Sequence, residues 1–258
     1  MLTRIAAQVL PRWWGGLRDV ADLLFPPLCA YCERPLESSG NEPLLCRDCV
    51  ERLVGQRGDL CIRCGALVRA EFSRLAQVEG CPRCRKRPIR FDGVVSLGTY
   101  EKSLREAVLQ MKRPWGEPLA VALACLLSRL VETYLGDRAP DVVVPVPMHW
   151  SRRIARRANN PEVLAEVLAH RLVVPVARKL LVRRRKTLTQ FTLPPGERFR
   201  NIRGAFRATA GYHLEAARVL LVDDILTTGA TSNEATRVLK AAGAAEVVVA
   251  VVARAEGI

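Results

Sequence analysis

The chain has 258 residues, with 40 Lys and Arg against 26 Asp and Glu, a formal net charge of +14, and 49% hydrophobic residues. This length allows one medium domain and one small domain with a sizeable apolar core. The positive charge predicts attraction to polyanions such as nucleic acids or phosphorylated metabolites. The apolar run Leu119–Leu127 is too short to cross a bilayer, and no signal-peptide pattern opens the chain. We therefore predict a cytoplasmic protein without a membrane span.

The first two predicted regions precede residue 91. Residues 1–24 have the weakly amphipathic pattern of a short helix. Residues 25–90 contain eight of the nine cysteines, arranged as four CxxC pairs, together with many Arg, Pro and Gly and little periodic apolar pattern. A segment of this composition cannot build an ordinary hydrophobic core, so a different interaction must hold it together.

The four CxxC pairs have the spacing of zinc sites, since 13 residues separate the pairs of the first half and 16 those of the second. Each CxxC directs two thiolates at one metal, and a second CxxC completes a closed, structural tetrahedron. Disulfides are disfavoured because a reducing cytosol would not keep them. Sequential pairing is the simplest, while a crossed pairing and an iron–sulfur cluster remain open. The sequential ligand sets are Cys29, Cys32, Cys46 and Cys49 for one zinc and Cys61, Cys64, Cys81 and Cys84 for the other.

From Phe91 onward the chain alternates between strand and helix patterns, which predicts an α/β fold with a parallel sheet flanked by helices. The predicted strands are Gly93–Tyr100, Asp141–Val146, Arg218–Asp223 and Glu246–Val252. The predicted helices are Glu101–Met111, Leu119–Leu135, Pro161–Arg171 and Ser232–Ala242, the last with Gly243 as its C-cap.

The stretch Arg218–Glu234 predicts a sugar-phosphate site. A buried strand ends in Asp223 and Asp224, and the run Thr227–Thr231 (TTGAT) then opens a helix. Hydroxyls and backbone N–H groups at a helix N-terminus form an anion site, and Gly229 allows a phosphate to approach the backbone closely. The two carboxylates before this loop can accept hydrogen bonds from sugar hydroxyls.

This pattern of four apolar residues, two acids, an apolar residue, any residue and TTGxT resembles the motif by which type I phosphoribosyltransferases bind 5-phosphoribosyl-1-pyrophosphate (PRPP). The resemblance implies that the acids bind the ribose hydroxyls, that the loop holds the 5′-phosphate, and that Mg²⁺ accompanies PRPP. The implied PRPP-binding residues are Asp223, Asp224, Thr227, Thr228, Gly229, Ala230 and Thr231.

A narrower resemblance covers nearly the whole chain. Its segments are LLFPPLC (Leu23–Cys29), the CxxC pairs, VPVP (Val144–Pro147), KTLTQ (Lys186–Gln190) and NIRGAF (Asn201–Phe206). Together they resemble the ComF competence family, also called ComFC or GntX proteins. The resemblance implies a double zinc ribbon over residues 25–90 joined to a phosphoribosyltransferase-like domain over residues 91–258. One segment departs from the family: an RGFNQ-like sequence is replaced by RRANN at residues 156–160, which keeps the Arg and the first Asn.

Positive charge is concentrated between Met148 and Arg207, where 15 Lys and Arg outweigh 3 Asp and Glu, a net of +12. By resemblance to phosphoribosyltransferases, residues 183–206 form a mobile hood whose Arg and Lys would clamp pyrophosphate. The same charges suit a single-stranded DNA backbone, or only a solvated basic surface. The candidates for pyrophosphate or polyanion contact are Arg156, Arg184, Lys186, Thr187 and Gln190.

Two classes of function fit these patterns. In the first, an enzyme transfers the phosphoribosyl group of PRPP to an acceptor through a cation-like transition state, with catalytic residues that the sequence does not identify. In the second, the protein is a non-catalytic adaptor that binds single-stranded DNA, or a regulator that senses PRPP. Its zinc ribbon would then dock a partner such as a competence helicase. The resemblance implies a role in DNA uptake during natural transformation, or in nucleotide handling.

Overall fold

The computed structural model describes residues 26–36, 44–54, 59–72, 74, 76, 79–85, 89–148, 159–185, 187–188 and 193–255. The predicted helix 1–24 lies outside these residues. The strands are β1 (Gly93–Thr99), β2 (Val142–Pro145), β3 (Leu181–Arg183), β4 (Phe206–Ala208), β5 (Arg218–Leu226) and β6 (Glu246–Arg254). The helices are α1 (Arg47–Val54), α2 (Pro82–Arg85), α3 (Lys102–Met111), α4 (Glu117–Leu135), α5 (Asn160–Leu172), α6 (Pro195–Ile202) and α7 (Ala230–Ala241), with a 3₁₀ turn at Ala70–Phe72.

A four-stranded sheet in the order β1-β6-β5-β2 forms the centre of the α/β region, and all of its strand pairs are parallel. Its strands are continuous apolar runs because helices and a hairpin cover both faces. Since the strands are parallel, their carboxyl ends meet at one edge, where ligands bind in open α/β sheets. The predicted α/β fold with a parallel, helix-flanked sheet is confirmed.

The two faces of the sheet belong to separate hydrophobic cores. Leu220 packs into the core that contains α3, α4 and α5, whereas its neighbour Leu221 packs into the core that contains α6, α7 and the β3–β4 hairpin. This alternation is the period of two that a strand imposes on its side chains. Both helical layers therefore pack on the same central strand, β5.

Helix α4 is the one helix of the described part of the chain that is long and apolar enough to cross a membrane. It has 19 residues, and 61% of its apolar stretch is buried inside the protein. It packs against α5, β1 and β6, with Leu123, Leu127 and Val131 fully enclosed. Its apolar composition is thus explained by its position in the core.

The segment around the first four cysteines shares the core of the sheet. Tyr31, Leu45 and Leu53 are buried in the same cluster as the α3 and α4 side chains. The Tyr31 hydroxyl donates to the Ser103 carbonyl at 3.2 Å and lies 3.0 Å from a carboxylate oxygen of Glu106. A segment without a core of its own therefore obtains one from its neighbour.

Candidate functional site

The eight predicted metal ligands form two clusters. The first cysteine cluster contains Cys29, Cys32, Cys46 and Cys49, and the second contains Cys61, Cys64, Cys81 and Cys84. Within each cluster all four Sγ atoms lie within 4.8 Å of one another. Sulfur ligands on a tetrahedral zinc stand about 3.8 Å apart, and the structure has 3.7 Å between the Sγ atoms of Cys32 and Cys46 and 3.6 Å between those of Cys64 and Cys81. The ligand grouping is therefore sequential.

The surrounding backbone supports bound thiolates in both clusters. The Cys46 amide donates to Cys29 Sγ at 3.4 Å, and the Cys81 amide donates to Cys61 Sγ at 3.2 Å. Gly80 has a φ of +89°, and a Cβ there would lie 2.7 Å from Cys84 Sγ, so only glycine fits before this CxxC pair. Closed, four-thiolate sites with N–H···S bonds fit structural zinc.

A second site lies at the carboxyl edge of the sheet, where β5 carries Asp223 and Asp224. The Asp224 amide donates to Asp223 Oδ1 at 2.9 Å. The Nζ of Lys112, which directly follows α3, lies 2.7 Å from Asp224 Oδ2, and both side chains are largely buried. Lys112 therefore balances the charge of one acid of the pair.

The other acid is left with an unfavourable charge. Burial raises the pKa of Asp223 well above its ordinary value, and the neighbouring Asp224 carboxylate raises this pKa further. The Asp224 amide and Lys112 act in the opposite direction without cancelling the effect. A ligand that brings hydroxyl donors or a cation to Asp223 would favour its charged form.

The loop after β5 turns into α7 through a left-handed glycine. Gly229 precedes α7 with a φ of +78°, a left-handed conformation that glycine adopts without strain. Thr228 Oγ1 accepts a hydrogen bond from the Ala230 amide at 3.2 Å, which links the loop to the first residue of the helix. N–H groups in the first turn of a helix lack intrahelical acceptors and carry the positive end of its dipole. The loop and the acid pair are thus adjacent on one edge.

In the described part of the hood segment (residues 183–206), Arg183 and Arg185 make contacts within the segment and Arg184 is exposed. Arg183 stacks on the Phe206 ring at 5.5 Å and donates to the hydroxyl of the buried Thr187. Arg185 donates to the Asn201 and Arg203 carbonyls at 2.8 and 2.6 Å, whereas the Arg184 side chain is exposed. Of the five predicted anion contacts, Arg184 therefore faces solvent and Thr187 is interior. The other three lie outside the described residues, namely Arg156, Lys186 and Gln190.

The hood segment is tied to α7 by a residue that sequence reasoning missed. Glu234 accepts the Gly204 amide at 2.8 Å and two bonds from Arg237 at 3.0 and 2.8 Å. Although burial by itself raises the pKa of Glu234, the bonds from Arg237 and Gly204 lower it below its ordinary value. Its only sequence signal is an acid in the second turn of α7. Lys112 was also missed, because a lysine after a helix is an ordinary C-terminal residue.

The sequential grouping of the cysteines can be tested by zinc content. Wild-type protein should hold two zinc ions per chain, one per cluster. The double variant Cys29→Ser/Cys49→Ser removes ligands from one cluster and should retain about one zinc, whereas Cys29→Ser/Cys84→Ser should retain none. Elemental analysis of purified protein measures this, with Cys125→Ser as a control that keeps both ions. Equal losses in the two double variants would contradict the grouping.

The raised pKa of Asp223 predicts that this residue costs stability. An acid whose pKa is higher in the folded than in the unfolded chain destabilises the fold above both pKa values, and the cost disappears as the pH falls through them. Asp223→Asn should therefore melt a few degrees higher than wild type at about pH 8, with a smaller difference at about pH 5.5. Thermal unfolding followed by circular dichroism measures this. The exposed Asp137→Asn should show no such trend; a lower melting temperature for Asp223→Asn at both pH values would refute the assignment.

Two known domain families match the two parts of this chain. Residues 117–257 match the phosphoribosyl transferase domain, and residues 20–85 match the double zinc ribbon domain. The solved structures that resemble the chain include the glutamine PRPP amidotransferase from B. subtilis, which is 25% identical with a TM-score of 0.38 and covers 57% of this chain and 30% of its own. A TM-score this low adds no weight to the assignment.

Full-length relatives are more informative. "DNA utilization protein YhgH" of Salmonella typhimurium is 35% identical over 229 residues, which are 87% of this chain and 96% of the relative. The protein of the same name in Escherichia coli is 32% identical over the same shares. "Competence protein F" of Haemophilus influenzae is 29% identical over 88% of this chain and 96% of its own. This chain therefore belongs to the ComF family, as a phosphoribosyl transferase domain preceded by a double zinc ribbon.

Proposed function

We propose that this protein binds Mg²⁺-PRPP at Asp223, Asp224 and the loop 227–231, and that it acts in the use of incoming DNA or in nucleotide handling. The observation that supports PRPP most directly is the succession of an acid pair and a left-handed glycine at the carboxyl end of β5. A sugar phosphate has both hydroxyl donors and an anion, so each end of it meets complementary groups.

Each described residue has a distinct part in this binding. The carboxylates of Asp223 and Asp224 would accept hydrogen bonds from the two ribose hydroxyls, and the N–H groups at the start of α7 would donate to the 5′-phosphate. Lys112 would hold the Asp224 carboxylate in position as an acceptor. Mg²⁺ bound with the ligand would supply positive charge to the pyrophosphate.

If the protein turns PRPP over, an acceptor attacks C1 of the ribose while the bond from C1 to pyrophosphate breaks and the electron pair leaves with pyrophosphate. The transition state is cation-like, so positioning and electrostatics supply most of the acceleration. The exposed Arg184 side chain of the hood segment is suited to the departing pyrophosphate. A protein that binds PRPP without turnover would instead act as a PRPP-sensing regulator.

Calorimetric titration of Mg²⁺-PRPP into zinc-loaded protein tests the site. Wild type should bind saturably, and Asp223→Asn/Asp224→Asn should lose at least about 100-fold in affinity, because two charge-assisted hydrogen bonds weaken together. The control Glu132→Gln/Asp137→Asn makes the same charge change on exposed residues near the amino edge of the sheet and should bind as wild type does. Absence of binding to folded wild type would end the PRPP proposal.

A second candidate function is contact with a single-stranded nucleic acid, which the relatives' names of DNA utilization and competence support for this chain. In the β3–β4 hairpin, Arg207 pairs with Val182, so the exposed Arg207 and Arg184 share its outer face. Trp115, 74% exposed, lies in the turn after Lys112 beside the exposed Arg113. Phosphate-binding arginines and an exposed indole are the groups that bind single strands.

The double variant Arg184→Gln/Arg207→Gln tests this contact more sharply than neutralisation of the whole 183–186 run, since Arg183 stacks on Phe206 and Arg185 donates to the Arg203 carbonyl, so both have structural contacts. Its affinity for a labelled oligothymidine should fall, and the slope of log affinity against log salt should decrease by roughly 1.4, or about 0.7 per lost phosphate contact. Fluorescence anisotropy at several salt concentrations measures both. The matched control Arg105→Gln/Arg138→Gln should keep the wild-type slope; equal slopes in both double variants would refute the contact.

The zinc ribbons would supply a docking surface in this candidate. Leu28, Leu67 and Phe72 are 52, 41 and 38% exposed beside the cysteine clusters, which supports contact with a protein such as a competence helicase. Eight metal-binding thiolates also need a reducing compartment, which supports a cytoplasmic location.

A further inference from the structure

We propose that Arg254 is a positioning residue that couples the second zinc site to the phosphate loop, so that zinc in the second cysteine cluster maintains the loop in its binding conformation. This inference rests on the proposed PRPP site. It assigns the second zinc a role beyond holding its own ribbon together.

Arg254 contacts both elements with one side chain. It is the last residue of β6, and its register partner on β5 is Leu226, the residue before the loop. Its Nε donates to the Cys64 carbonyl at 3.0 Å, and its Nη1 donates to the Leu226 carbonyl at 3.0 Å and also to the Thr227 carbonyl. The planar guanidinium has donors in a fixed fork, so it sets the distance between a zinc ligand's backbone and the first residue of the loop.

A second set of contacts also joins the second zinc ribbon to the region of the phosphate loop. The Ile62 carbonyl, between Cys61 and Cys64, accepts the Val94 amide of β1 at 2.8 Å. The segment that leads from the ribbon into β1 packs on the loop: the Arg90 amide donates to Asn233 Oδ1 at 2.7 Å, and the Phe91 ring lies against Gly229. The second ribbon is thus docked on the start of α7 as well as on β1.

This arrangement makes the metal and the ligand interdependent. Zinc bound to Cys61 and Cys64 fixes the turn between them, and Arg254 donates a hydrogen bond to the Cys64 carbonyl of this turn. Without the metal that carbonyl is no longer held in place, and the guanidinium no longer links the ribbon to Leu226 and Thr227. By thermodynamic linkage, a zinc ion that favours the binding conformation of the loop must itself be held more tightly when the loop is occupied. Arg254 is the residue through which most of this coupling would pass.

Three variants at two positions separate this coupling from a general effect on folding. Arg254→Met keeps the length and apolar stem of the side chain without its donors, and Arg254→Lys keeps the charge without the fork. The control Arg138→Met removes an arginine near the opposite end of β6, where it pairs with Glu246 at 3.5 Å. For each protein we would measure zinc content, amide hydrogen exchange of residues 226–233 and Mg²⁺-PRPP affinity.

Arg254→Met should keep two zinc ions but exchange the loop amides about tenfold faster and bind PRPP about tenfold more weakly, within the usual range of coupling between sites. Arg254→Lys should recover part of both losses, and Arg138→Met should match wild type. In wild type, added PRPP should slow the release of zinc to a chelator, and most of this effect should be lost in Arg254→Met.

Wild-type loop exchange in both Arg254 variants, with zinc retained, would overturn the proposal. So would equal zinc release with and without PRPP in a wild type that binds PRPP. If Arg254→Met does not fold, the Arg254→Lys exchange rates decide. If wild type binds no PRPP, the proposed function fails separately. Loop exchange in zinc-loaded protein against protein depleted of the second zinc then decides the coupling on its own.

Discussion

The parallel pairing of β5 with β6 is the interaction on which the rest of the site depends. This pairing continues beyond the apolar residues of β5, with Asp223 opposite Val251 and Leu226 opposite Arg254. The first pair places the acids at the carboxyl edge of the sheet. The second brings an arginine from the end of the chain beside the loop. Because both follow from one register, a shift of β5 by one residue would turn Asp223 to the opposite face of the sheet and would separate Leu226 from Arg254.

Charge at this edge is unfavourable for the fold, which is consistent with the proposed ligand site. Lys112 forms an ion pair with Asp224, but the pKa of Asp223 is raised because the side chain is buried and lies beside a second carboxylate. Although the protein has a net charge of +14, two adjacent acids at the end of a central strand make this edge locally negative. Functional sites commonly show such local costs, since the group that is unfavourable alone is the one that a ligand satisfies.

Sequence patterns predicted the features that local chemistry encodes. CxxC spacing predicted the zinc ligands, and apolar runs predicted the four central strands, since both signals lie within short continuous stretches of the chain. Strand β5 runs three residues beyond its predicted end at Asp223 because pairing with β6 overrides the low strand propensity of aspartate. The short elements β3, β4 and α6 have too few residues for a periodic signal. Lys112 with Asp224 and Cys64 with Arg254 are joined only by tertiary structure, so no spacing rule could pair them.

The two cysteine clusters have the same chemistry but different surroundings. The first is built into the hydrophobic core beside α3, where Cys29, Cys49 and Tyr31 are buried among its side chains. The second has a small cluster of its own and meets the α/β region through hydrogen bonds of Arg254 and Val94 as well as through apolar contact with Ile89. The hydrophobic effect is non-directional, whereas hydrogen bonds depend on distance and angle. Loss of metal from the first cluster would therefore act mainly on stability, and loss from the second mainly on the shape of the loop.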